Sequence, residues 1–192
     1  MKWPQIILVT NFTTLICLGI YAQHPKLIKG DLSSLRTEIS VNVQFTYDSM
    51  MVGNMTEVAY MTQKMDEYNK KEAGKGDVWA KEWIDNRKNF FDPEFNKLFQ
   101  KYSNKTISDK AKYTLICHTV YTEPGFFGTM LVSKSTRISI EVTVVESADS
   151  SHLIAKLSME KVDASETHYD AATNIKWAYH HAGKILGDFV KK

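Results

Sequence analysis

The stretch RISIEVTVVESADSSHLIAKLSMEKV, residues 137–162, decides the fold. Ile138, Ile140, Val142 and Val144 alternate with Ser139, Glu141 and Thr143. After a polar link at Ser147–Ser151, Leu153, Ala155, Leu157 and Met159 repeat the pattern. A period of two puts each apolar set on one face of a strand. The short link makes the pair an antiparallel hairpin. A strand buried on both faces would read apolar throughout, so this sheet has one covered face and one wetter face.

The same pattern extends outward. Thr37–Tyr47 alternates Ile39, Val41, Val43, Phe45 and Tyr47 with polar residues, and predicts another half-buried strand. Lys112–Thr122 is apolar on both faces and is expected at the sheet's centre. Between them, helical spacing takes over. Asn54 and Glu57 have the capping-box separation and open a helix to about Glu72, with Met55, Val58, Met65 and Tyr68 on one face. Gly74-Lys75-Gly76 closes it. Asp77 is expected to cap a second helix whose stripe is Trp79, Trp83, Asn86 and Phe90. Asp92-Pro93 then restarts the helix, with Asp92 as N-cap and Pro93 in the first turn. Phe95, Leu98, Phe99 and Tyr102 follow at i, i+3, i+4 and i+7. A last helix, Ala171–Val190 behind Asp170, buries Ile175, Ala178, Tyr179, Ala182, Ile185, Leu186 and Phe189. Residues 23–36 read as an irregular lead-in. The expectation is an α+β domain: a mostly antiparallel or mixed four-stranded sheet with helices packed on one face, in the order β-α-α-α-β-β-β-α.

Composition narrows the function. The 192 residues carry 24 basic and 22 acidic side chains, a net charge of +2. That is too weak for an obligate nucleic-acid binder. An apolar content of 43% excludes a disordered chain. Two cysteines cannot build a disulfide scaffold or a structural zinc cluster.

Residues 1–22 have the form of an export signal. Lys2 precedes the apolar run Ile6–Ile20, and Ala22 offers the cleavage point. Ile16 before Cys17 does not suit lipidation. Cleavage would leave a single domain over residues 23–192, with Cys117 as its one cysteine and no membrane span. Removing Lys2 leaves 23 basic residues against 22 acidic ones.

Several groupings invite a chemical reading. Cys117 and His118 are strand neighbours and point to opposite faces, which excludes a nucleophile pair. Glu166, His168, Asp170, His180 and His181 form the densest set of acid–base groups. His168 and His180 lie too far apart along a helix to share a metal, so no metal and no cofactor is expected. Glu123-Pro124-Gly125-Phe126-Phe127-Gly128 is an aromatic loop between two strands. Either a ring of Phe126 or Phe127 is exposed for a partner, or the loop folds under and plugs the core. Trp177 lies off the last helix's apolar stripe, with His181 a turn away. It marks a partner-binding face or is covered by residues 23–36.

Gly30-Asp31-Leu32-Ser33, Lys75-Gly76-Asp77-x-Trp79, Glu123-Pro124-Gly125-Phe126 and Ala182-Gly183-Lys184-x-x-Gly187-x-Phe189 together resemble a family of small secreted Bacteroidetes proteins. The family has no assigned function and supplies no catalytic residues. The element order is also similar to the periplasmic domain of certain outer-membrane accessory lipoproteins, whose lipid-bearing cysteine has no counterpart here. The combined expectation is a non-catalytic exported module, periplasmic or extracellular, with no nucleic-acid partner. It would contact an envelope protein or glycan through Phe126, Phe127, Trp177 and His181. The alternatives are an envelope hydrolase or a small-ligand binder with a cleft between helices and sheet. The sequence leaves the oligomeric state open.

Overall fold

The computed structural model describes residues 24–125, 134–164, 168 and 170–191. The expected export signal, the Phe126-Phe127 pair and Glu166 lie outside these residues. The hairpin forms as the alternation predicts. β7 (Arg137–Glu146) and β8 (Asp149–Asp163) pair antiparallel around a turn at Ser147 and Ala148. β6 (Tyr113–Glu123) pairs antiparallel with β7 and parallel with β2 (Ser40–Thr46). The sheet is therefore mixed and β6 is internal, as expected.

Its extent differs from the four strands anticipated. The additions are β1 (Lys26–Gly30), β3 (Met51–Val52), β4 (Met55–Thr56) and β5 (Thr106–Ile107). Among the described residues eight strands take part, in the order β1-β8-β7-β6-β2-β5, with β3 beside β6 and β4 beside β3. The segment 23–36 is thus not irregular: β1 pairs antiparallel with β8, and α1 (Ser33–Thr37) follows. Neither has a periodic signature. β1 is held by its pairing with β8, and α1 by burial of Leu32 and Leu35 and by Asp31, which accepts from the Ser33 amide at 3.1 Å. At the start of β2, Ile39 is 82% exposed, because the strand begins only at Ser40.

One face of the sheet is covered. Val41, Leu115, Cys117, Val142, Val144, Ala155 and Leu157 form a continuous core with Phe95 and Phe99 of α4 (Asp92–Ser103) and Ala178, Ala182 and Leu186 of α5 (Ala171–Lys191). The other face carries Asn42 on Thr114 (3.1 Å), Thr46 on His118 (2.8 Å) and a Glu141–Lys156 ion pair (2.7 Å). α4 and α5 approach unusually closely. A Cβ on Gly183 would lie 2.2 Å from the Phe95 carbonyl oxygen, and one on Gly187 2.9 Å from that of Phe99. Asp170 caps α5 as expected, accepting from the Thr173 amide at 2.8 Å.

The middle helices differ in detail. α2 (Glu57–Asn69) is capped by Thr56, whose hydroxyl accepts from the Ala59 amide, not by Asn54. Val58 is 75% exposed; the inward residues are Tyr60, Met61, Met65 and Tyr68. α3 (Lys75–Asn86) begins behind Gly74, two residues before the expected cap Asp77. It does not break at Asp92. A π-helical turn, Arg87–Phe91, carries it directly into α4, and the Asp92 amide donates to the Arg87 carbonyl five residues back. Pro93, which has no N–H to give, is tolerated at that junction. The wider turn shifts the phase of the rod. Phe91 is buried and Phe90 is 51% exposed, the reverse of the predicted stripe. No helix among the described residues is long and apolar enough to cross a membrane.

Candidate functional site

The loop expected to carry Phe126 and Phe127 is described at its two ends. Glu123 accepts an ion pair from Lys134, Thr136 Oγ1 donates to the Pro124 carbonyl at 2.7 Å, and Gly125 sits at φ +67°. A side chain at Gly125 would run into Thr136 Oγ1 at 2.5 Å and the Lys134 carbonyl at 2.7 Å. The left-handed backbone and the close crossing both select glycine there. The end of β6 and the lead-in to β7 are therefore closed against each other as a neck.

Trp177 is half-buried, and two histidines pack against its ring. The His168 ring stacks at 6.3 Å with planes 16° apart, and His180 packs at 4.7 Å. Asn174 fixes His168 by accepting from its backbone amide (2.6 Å) and donating to its carbonyl (2.8 Å). His180 Nδ1 meets Glu94 of α4 at 2.8 Å. Burial opposes ionisation of Glu94, but the contacts with His180 and Lys97 prevail and hold its carboxyl below the usual range. His181 Nδ1 lies 3.1 Å from the Asp163 carbonyl oxygen, a link from α5 to the end of β8. Of the acid–base residues singled out by the sequence, His168 and His180 thus both pack on Trp177, nearer than their spacing along the chain implied, while Asp170 caps α5 and His181 ties it to β8; no metal-ligating group of three forms among the described residues. Cys117 and His118 do face opposite ways. Burial pushes the Cys117 thiol well up, and His118 sits on the uncovered face.

The densest polar constellation lies where β2, the π-turn and α5 meet. Tyr47, just past the end of β2, donates to Asp92 at 2.5 Å. Tyr179 of α5 shares a 2.6 Å hydrogen bond with Thr119 of β6. The Arg87 guanidinium stacks over the Tyr47 ring at 4.3 Å and pairs with Glu57, which also accepts from Trp83 Nε1 at 2.6 Å. Burial raises Asp92 to about 6, against the opposing pull of the Tyr47 hydroxyl and the Arg87 charge. Burial likewise drives both tyrosines far up, so they remain neutral donors. A cavity of about 10 Å³, the room one water needs, lies beside Tyr47, Arg87 and Tyr179 among mostly apolar neighbours. Sequence reasoning placed Tyr47 and Tyr179 on apolar faces and made Asp92 a cap. The available signal was the hydroxyl on each buried face, since buried tyrosines seek partners.

Beside the π-turn lies a larger concavity. A cleft of about 460 Å³ runs between α3 and the start of α5, lined by Glu82, Asn86, Asn89 and Phe90 on one side and Thr173 and Lys176 on the other. Asp85 and Asp170 complete its rim.

No family model, curated protein or solved structure matches the chain.

Proposed function

We propose that the protein is an exported, non-catalytic binding module of the secreted Bacteroidetes group it resembles, which contacts an envelope macromolecule through the Phe126-Phe127 segment. The observation that carries this reading is the neck. Glu123, Pro124 and Gly125 are tied to Lys134 and Thr136, so the two positions that bracket the segment are held together between two core strands. Contact residues placed on loops over a rigid scaffold are a common arrangement for recognition. The export reading rests on the order of charge, apolar run and small residue in the first 22 positions.

Several features favour binding over the hydrolase alternative. That alternative needs His118, or His168 with Glu166 or Asp170, to meet other polar groups in a cleft, and Glu166 lies outside the described residues. His118 is bonded to Thr46 on the open face, and Asp170, on the rim of the cleft between α3 and α5, is engaged by the amides of Ala172 and Thr173. The cavity beside Tyr47, Arg87 and Tyr179 at the π-turn is too small for a substrate.

The test is capture of partners from the native envelope with the wild type and with Phe126→Ser/Phe127→Ser. Loss of a captured component in the double variant, with an unchanged melting temperature, is the expected result. An identical set of partners would sink the loop reading.

A further inference from the structure

We propose that the cleft between α3 and the start of α5 is a binding site for a neutral saccharide, with one pyranose ring lying on Phe90. The inference is independent of the loop reading, because no residue is shared.

The π-turn creates the site. On an uninterrupted α-helix Phe90 would continue the buried stripe of Trp79 and Trp83. The turn instead sends Phe91 inward, against Tyr179 at 5.2 Å, and leaves Phe90 half out of the surface. Such turns have poorer geometry than the α-helix and recur at functional sites. The missing N–H of Pro93 accounts for a break in the helical ladder. It does not account for an exposed ring ringed by amides.

The lining suits hydroxyl groups. Among the described residues, the side chains of Asn86, Asn89 and Thr173 have no hydrogen-bond partner, and Glu82 interacts only with the charge of Lys81. The two amides offer donors and acceptors side by side, the pattern that vicinal hydroxyls match. The lining is acidic: Glu82, Asp85 and Asp170 stand against Lys176, with Asp85 paired to Lys81 and Asp170 accepting from α5 amides. A phosphate or an acidic sugar would meet like charge there. A neutral, polyhydroxylated ring meets none, and its hydroxyl groups can donate to the carboxylates. The volume falls within the roughly 300–1,000 Å³ of small-molecule sites, and Phe90 supplies the apolar face on which the C–H side of a sugar packs.

The experiment titrates the full chain with chitotriose and with maltotriose, followed by calorimetry and saturation-transfer NMR. Trigalacturonate is the charged counterpart. At least one neutral trisaccharide should bind with a Kd on the order of millimolar. Phe90→Ala should weaken it about tenfold or more, and Asn86→Ala/Asn89→Ala should do so while keeping the ring. Phe126→Ser/Phe127→Ser should leave it unchanged, which separates this site from the loop. Phe90 is at the surface, so its variant should retain the wild-type melting temperature. Absence of binding by both neutral sugars, binding indifferent to Phe90→Ala, or tighter binding of trigalacturonate would each overturn the proposal.

Discussion

The two helix pairs, α4–α5 and α2–α3, use the same device to opposite ends. Each closes on a glycine set beneath a carbonyl of its partner. A Cβ on Gly183 would lie 2.2 Å from Phe95 O, and one on Gly76 would lie 2.2 Å from Met65 O. Around Gly183 the contact is extended by Gly187, Ala182 and two buried phenylalanines, and the sheet covers the far side. Around Gly76 it is extended by a half-wet aromatic cluster of Tyr60, Tyr68, Trp79 and Trp83, with ring separations of 5.3 to 6.0 Å. No residue of α2 is fully buried. The first pair is core; the second is a flap attached to it. Close packing therefore does not define the core by itself. What defines it is whether a second layer removes the remaining apolar surface from water.

The sharpest way to break this contrast is to add one methyl group to each pair. Gly183→Ala must force α4 from α5, and is expected to cost about 3 kcal/mol or more of global stability. Chemical denaturation would register the loss. Gly76→Ala makes an equal clash but should free only α2. Hydrogen exchange over residues 57–69 should lose protection while the global midpoint falls much less. Equal global losses from the two variants would mean that α2 belongs to the core unit.

Glu57 and Arg87 join the flap to the rod, and their pair is mostly shielded from solvent. Glu57→Gln keeps an acceptor for Trp83 but removes the charge facing Arg87. A loss of roughly 2 kcal/mol is expected, measured by denaturation at low and high salt. A half-buried pair should be only slightly screened. A salt-sensitive loss would place the pair at the surface.

Asp92 gives the contrast a pH dependence. Its folded pKa is raised to about 6, above the ordinary carboxylate value of 3.8. The native state therefore binds the proton more tightly than the unfolded chain does. The stabilisation is full below about pH 4 and is lost as pH rises through about 6. Asp92→Asn cannot titrate. The stability of the wild type relative to this variant should decline from pH 4 to pH 6 and then level off. A difference that stays flat across that range would show that Arg87 keeps Asp92 ionised throughout.

The same contrast explains what the sequence disclosed. β7, α5 and the part of β8 from Ala155 to Met159 were legible because each buries one face, which writes a period of 2 or 3.6 into the residues. β1, β3, β4 and β5 were not, because strands of two to five residues carry no period and exist through partners far along the chain, as Ser40 pairs with Thr106. The π-turn was hidden by the assumption of a constant 3.6 repeat. The inward residues run Trp79, Trp83, Arg87, Phe91, Phe95 and Phe99, a spacing of four that no straight α-helix keeps on one side. An arginine in the middle of that series disguised it. The site residues were therefore half visible. Tyr47 and Tyr179 stood on recognised faces, but their meeting with Asp92 and Arg87 depends on the phase shift at the turn.

The smallest expected effect tests the flap at its other end. The first turn of α2 leaves amide groups without helical partners, and Thr56 answers one of them by accepting from Ala59 at 3.3 Å. Glu57 adds a carboxylate beside the positive end of the helix, but that carboxylate is turned toward Trp83 and Arg87. The Glu57 amide donates to the Met50 carbonyl at 3.1 Å, so Thr56 is the side chain that caps the turn, with one backbone bond beside it. Thr56→Ala should weaken α2 by about 1 kcal/mol, and Thr56→Ser by much less, since serine keeps the oxygen. Because α2 is attached as a flap, the loss should appear in hydrogen exchange of residues 57–69 and scarcely in the global melting temperature. If Thr56→Ala lowers the global melt as far as Glu57→Gln does, the helix start and the ion pair are one cooperative unit. The boundary between flap and core would then move from the π-turn to Thr56.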